Sequence, residues 1–178
     1  TRTELGAFDW ARLGAGGEPQ EPVWLTAGLD RSLSGFAISA DSRTVQVLAE
    51  EAGHEKLFSV PAAGGVPPTL AFDLSVGVYT NLAIASRAAS PVLVGNWESA
   101  TSPPEVVRLE PRRGGHRALT AFNAPRLASL ELSSVRHLWF TSSRGRRIHS
   151  LVVLPPGFDP AKRYPLFNVI HGGPHTMW

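Results

Sequence analysis

The chain repeats itself, and that repetition limits its fold more than any other feature. The segment LFSVPAAGGVPPTL, beginning at Leu57, lies over VRLEPRRGGHRALT, beginning at Val107. Pro61 then falls on Pro111, and Gly64-Gly65 on Gly114-Gly115, an offset of 50 residues. Upstream, DWARLGAGGEPQEPVWLT puts Gly16-Gly17 48 residues before Gly64-Gly65, and WLTAGLD at 24–30 echoes ALTAFNA at 118–124. Between these units, GFAISADSRTVQVLAEE carries short apolar runs on either side of an Asp41-Ser42-Arg43 turn. NLAIASRAASPVLVGNW has the same shape, with Ile84 46 residues after Ile38.

Each period of 46 to 50 residues thus holds four short antiparallel strands, which is the arithmetic of a β-propeller blade. Val, Ile, Phe and Trp at alternating positions suit sheets stacked face to face. Residues 1–124 accommodate about two and a half four-stranded blades, whereas a closed propeller takes about four or more. The expectation is therefore a partial propeller.

Composition narrows the function classes. The 178 residues are 43% hydrophobic and 18% charged, as in a globular protein. Gly 17 and Pro 15 favour turns and short strands over long helices. A net charge of +2 and no basic stripe interleaved with aromatics argue against a nucleic-acid partner. The densest basic run, SRGRR at 143–147, reads as a solvated hairpin tip. No apolar run approaches the roughly 20 residues of a membrane-spanning helix, so no membrane partner is expected. The start TRTELGAFDW lacks signal-peptide character. The absence of cysteine excludes disulfides and thiolate metal sites. Compartment stays open between the cytoplasm and periplasmic or secreted locations.

After about residue 125 the repeat stops. HLWFTS and RIHSLVVL form an expected hairpin around Arg144-Gly145. PPGFDPAKRYP cannot hold regular structure, because its prolines lack donors and restrict their neighbours. LFNVI at 166–170 reads as a short strand covered on both faces, and His-Gly-Gly-Pro follows at 171–174. A boundary is expected near 124–134. Glycine lets the backbone of such a turn approach a ligand, and its N–H groups can donate to developing negative charge. In α/β-hydrolases one oxyanion donor comes from the loop after the third strand. The order of two strands, a proline-rich link, a third strand and His-Gly-Gly-Pro fits that plan. The expected fold is mainly β, a partial propeller followed by the first strands of an α/β-hydrolase domain over 125–178.

LVVLPPGFDPAKRYPLFNVIHGGPH, preceded by propeller blades, resembles the prolyl oligopeptidase family of serine peptidases. The acylaminoacyl-peptidase and dipeptidyl-peptidase-like branches are the nearest. LTAGLDRSLSGFAISADSRTVQVLAEEAGHEKLFSV and SPPEVVRLEPRRGGHRALTAFNAPRLASLEL resemble that family's blades and junction. The resemblance implies hydrolysis of short peptides through an acyl-enzyme, with a propeller over the active-site mouth. It implies that Gly173 donates its N–H to the oxyanion, Gly172 shapes the turn and Pro174 fixes the exit. His171 stands where dipeptidyl-peptidase relatives place a tyrosine, and is assigned a loop-shaping role.

No Gly-x-Ser-x-Gly elbow occurs in the chain; the nearest candidate, SLSGF at 32–36, lacks the first glycine. Nucleophile, acid and base are therefore expected elsewhere, and this chain alone is expected to be inactive. The expected partners are the remainder of the same enzyme and short peptides, with homo-oligomerisation left open. No cofactor is expected. His171 and His175 have the spacing of a helical zinc pair, but the Gly-Gly-Pro between them opposes a helix, so no metal is expected.

Other residues have plainer readings. Glu50-Glu51 could hold a substrate amino group, as glutamates do in dipeptidyl peptidases, but reads as a charged hairpin tip. His54 and His116 read as solvent-facing. His137 and His149 read as satisfied or half-exposed strand residues. Trp97-Glu98 and the following SATSPPEV read as an inter-strand loop. The rival functions are a non-catalytic β-propeller protein-binding scaffold and an esterase-type α/β-hydrolase with a β-rich accessory domain.

Overall fold

The computed structural model describes residues 2–11, 16, 21–85, 92–133 and 135–170. Among them the chain is mainly β. Strands β1 (Gly6–Ala7) and β2 (Val23–Trp24) form a short antiparallel pair. Next come β3 (Leu33–Ile38), β4 (Thr44–Glu51), β5 (His54–Pro61) and β6 (Thr69–Leu70), an antiparallel meander paired in chain order. A second meander follows the same plan with β7 (Val78–Ala85), β8 (Val92–Ser99), β9 (Ser102–Glu110) and β10 (Gly115–Ala118). One parallel contact, Glu55 with Val78, joins the two. A single turn of helix, α1 (Ala124–Leu127), leads to a separate hairpin of β11 (Val135–Thr141) and β12 (Arg147–Val153).

The repeat read from the sequence extends to individual hydrogen bonds. Gly64 N–H donates to Pro61 O at 3.0 Å, and Gly114 N–H to Pro111 O at 3.2 Å, so the Pro-x-x-Gly turn occurs twice. Leu5 N–H donates to Thr26 Oγ1 at 3.0 Å, and Val106 N–H to Thr120 Oγ1 at 2.9 Å. The matched Leu-Thr pairs thus tie corresponding strand backbones in the outer two units. In the middle unit the position after the equivalent backbone bond, Ala71 N–H to Leu57 O, is filled by buried Phe72.

Alternation along β4 explains the stacking. Val45, Val47 and Ala49 face one way and pack with Leu25, Phe58 and Val60. Leu48 faces the other way, into a cluster of Leu57, Phe72, Leu74, Tyr79, Leu93, Val107 and Leu109. The first meander is therefore an inner layer, with the β1–β2 unit on one face and the second meander on the other.

Two readings need correction. LFNVI at 166–170 is not a strand; Leu166, Phe167, Val169 and Ile170 are all at least 80% exposed. A strand buried on both faces needs ladder partners, and no described strand lies alongside to supply them. Trp97-Glu98 and SPPEV are strand rather than loop, lying in β8 and β9 around a turn at Ala100-Thr101. The ladder shifts register between Trp97 and Ser99, opposite Pro103 and Pro104, and such a bulge accommodates two residues with no donor.

Gly77 carries the junction between the meanders. It has a φ of 80°, and an added Cβ would lie 2.3 Å from Glu98 O and 2.6 Å from Trp97 Nε1. Gly77→Ala combines a disfavoured backbone with a clash against main chain. It is expected to destabilise the protein by about 2–4 kcal/mol, measured by denaturant unfolding against a Gly65→Ala control that has open space.

Candidate functional site

The β4–β5 turn, the β6–β7 loop and the β8–β9 turn project at the same end of the stacked meanders, where the β11–β12 hairpin docks. Between them lies a cavity of about 410 Å³, walled by Gly53, His54, Val76, Glu98, Thr101 and, from the hairpin, His137 and Leu151, among others. The turn that reaches it is tight. Ala52 and Gly53 both have positive φ, 53° and 85°, as in the two-residue type I′ hairpin. The side chain of His54 is fixed by its Nδ1–H donating to Gly77 O at 3.1 Å.

The cavity offers hydroxyls, one carboxylate and two imidazoles against an apolar lining. That suits holding a partly apolar group by a few hydrogen bonds. Acyl transfer needs more, namely a nucleophile bonded to a base. No serine or threonine hydroxyl bonds a histidine among the described residues. Ser34 of SLSGF lies in β3, and its hydroxyl donates to the Glu55 carboxylate. No group of three potential ligands that could hold a metal ion occurs among the described residues.

The histidines are more engaged than the sequence suggested. His54 is half-buried and 5.1 Å from His137, ring centroid to centroid. His116 is also not solvent-facing: Tyr79 Oη and His116 Nδ1 are 2.8 Å apart, and Trp97 lies 4.8 Å from the ring. Burial lowers the His116 pKa and pushes the Tyr79 hydroxyl up. Tyr79 of β7 and Trp97 of β8 close over His116, whose strand β10 pairs with β9 in the same sheet. His137 and His149 share a hydrogen bond, as expected of satisfied strand residues. His171, Gly172, Gly173, Pro174 and His175 lie outside the described residues.

Glu50 and Glu51 end β4, opposite Glu55 and His54. Glu51 is not a free tip charge; it bonds Arg31 at 3.1 Å and Lys56 at 3.2 Å, and Lys56 reaches Asp73 at 2.6 Å. The perturbed carboxylate is its neighbour Glu55, 6% exposed and directly across from Glu50. Burial pushes the Glu55 pKa up to about 7, against the Ser34 hydrogen bond and with added repulsion from Glu50. Sequence reasoning missed it, although an alternating strand that begins His-Glu-Lys places one charge of the three inward.

A carboxyl raised from 4.5 to about 7 on folding contributes fully below its unfolded value and loses that contribution as pH rises through about 7. A shift of this size is worth about 3 kcal/mol. Glu55→Gln is therefore expected to abolish most of the fall in stability between pH 5 and pH 8, as read from unfolding free energies at the two pH values.

No family model matches the chain. Among curated relatives it is 32% identical over 161 residues to dipeptidyl-peptidase 5 of Arthroderma otae, covering 86% of this chain and 21% of that protein. It is 29% identical over 140 residues to the probable dipeptidyl-peptidase 5 of Emericella nidulans. The chain thus spans about a fifth of the length of the relatives it matches. In fold it is similar to the acylaminoacyl peptidase of Pyrococcus horikoshii, with a TM-score of 0.59 and 19% identity over 76% of this chain and 20% of that one. It is also similar to dipeptidyl peptidase 4 of Porphyromonas gingivalis, with a TM-score of 0.54 and 19% identity over 80% and 20%. With its repeated four-strand meanders and the motif-bearing tail, the chain belongs to the prolyl oligopeptidase family of serine peptidases.

Proposed function

We propose that this chain is part of a serine peptidase that hydrolyses short peptides through an acyl-enzyme. Residues 1–124 supply about two and a half propeller blades, and residues 125–178 supply the crossing and the first strands of the α/β-hydrolase domain. The observation that carries this reading is the likeness to dipeptidyl-peptidase 5 across 86% of the chain. The geometry agrees with it. The described residues wall a cavity where stacked sheets meet a hairpin, which supports reading this piece as one side of a chamber, with the triad supplied by the rest of the enzyme.

In this reading the His-Gly-Gly-Pro turn follows the LFNVI segment and brings the Gly173 N–H to the oxyanion. Gly172 and His171 shape the turn and Pro174 fixes its exit. The propeller restricts access to short peptides by closing over the hydrolase mouth. The partners are the remainder of the enzyme and its peptide substrates.

A fluorophosphonate probe applied to the full-length protein is expected to label one serine, and the isolated 178-residue chain none. A full-length protein that takes no label would overturn the reading. Loss of one oxyanion donor costs about 10²–10³ in kcat. Gly173→Val, which displaces that N–H, is expected to lower kcat toward this range while KM changes little. A raised KM with kcat unchanged would remove Gly173 from the oxyanion hole.

A further inference from the structure

The β11–β12 hairpin meets the first meander through a column of stacked groups. The Arg147 guanidinium lies 4.8 Å from the Trp139 ring centroid. Trp139 stacks on His149 at 4.2 Å and 9°, and His149 on His137 at 5.0 Å and 20°. His137 meets His54 at 5.1 Å and 32°, and His54 is anchored to Gly77 O. Gly53 is pressed against the same rings; a Cβ there would lie 3.2 Å from His149 and 3.3 Å from His137.

We propose that this column is a pH-responsive latch, holding the hairpin on the β4–β5 turn with at most one proton between His137 and His149 and releasing it when both are charged. The titrating contact is within the hairpin, His137 Nδ1 to His149 Nε2 at 2.9 Å, and this pair of rings is the surface that packs on Gly53 and His54 of the turn. One nitrogen must donate and the other accept, so one ring is neutral. With two imidazolium rings both nitrogens carry hydrogen, and the attraction becomes repulsion.

The surrounding charges do not offset a second proton. From β4, Glu51 stands opposite His54, but its carboxylate is held by Arg31 and Lys56. From the β6–β7 loop, Asp73 is held by Lys56. Glu98 of β8 shares the cavity with His54 and His137 and can favour one charge there. On the hairpin, Arg147 adds a cation at the far end, while Arg136 precedes His137 and so projects to the opposite face. Burial holds the His149 pKa below the ordinary imidazole value, with repulsion from His137 and His54 adding to it. A docked histidine lowered in this way favours docking fully above about pH 6.5, and the contribution is lost as pH falls below that value. Release would open the cavity, because Val135, His137 and Leu151 form its hairpin wall.

Hydrogen–deuterium exchange on the full-length protein between pH 8 and pH 5, corrected for intrinsic rates, tests the latch. Opening coupled to one proton changes the open fraction by about tenfold per pH unit. Protection at residues 52–54 and 135–153 is expected to fall by that order below about pH 6.5, while β9 keeps its protection. His149→Phe and His137→Phe each keep a stacked ring without a titrating nitrogen, and each is expected to flatten the response. Wild-type protection unchanged down to pH 5 would overturn the latch, whether or not the variants fold. So would an undiminished response in both variants.

Discussion

Everything in this chain depends on a sheet that is buried on both faces. In β4 the adjacent residues Val47, Leu48 and Ala49 are all essentially inaccessible, although consecutive side chains point to opposite sides. A strand of that kind is stable only as an inner layer, so neighbours must cover it on both sides. The β1–β2 unit covers one face and the second meander the other. Stacked meanders bring their connections into register at the sheet ends. Turns that are far apart in sequence, at 52–53, 75–77 and 100–101, therefore line one cavity.

Much of the architecture was legible because it is local and repeated. Pro61 and Pro111, and the glycines that follow them, encode the same turn twice, and Asp41-Ser42-Arg43 marks a hairpin end through the Asp41 carboxylate accepting from Arg43 N–H at 3.0 Å. The β11–β12 register was also within reach. Symmetry about Arg144 places Trp139 opposite His149. What could not be read is tertiary. Nothing in the local pattern brings His54 to His137, which lie in separate units, or His116 to Tyr79, which lie on the two outer strands of one meander. Glu55 was hidden by its neighbours, since a Glu-Lys pair at a strand start ordinarily signals a solvated edge.

LFNVI failed as a strand for the complementary reason. An apolar run buried on both faces carries no information about its partners, and strand geometry is realised only when a ladder exists to hold it. Leu166 is 88% and Ile170 87% exposed, and no described strand lies alongside to form that ladder. The hairpin shows the same demand in weaker form. Leu138 and Phe140 stay half exposed on the face turned away from the meanders, although their strand is fully paired.

The two titrating features act in opposite directions, and that opposition separates them. Glu55 lies within the first meander, so charging it as pH rises through about 7 weakens the layer itself. The histidine column belongs mostly to the hairpin and meets the meander at His54 and Gly53, so charging it as pH falls weakens the hairpin's hold on the meander. Alkaline loss therefore belongs to the whole cooperative sheet, whereas acid loss belongs to one interface and leaves the sheet intact. Gly77 connects the two, because its carbonyl anchors His54 while its backbone fits against Glu98 O at the joint between meanders. A change at Gly77 should disturb both responses at once, whereas Glu55 and His149, in separate contact networks, should behave additively.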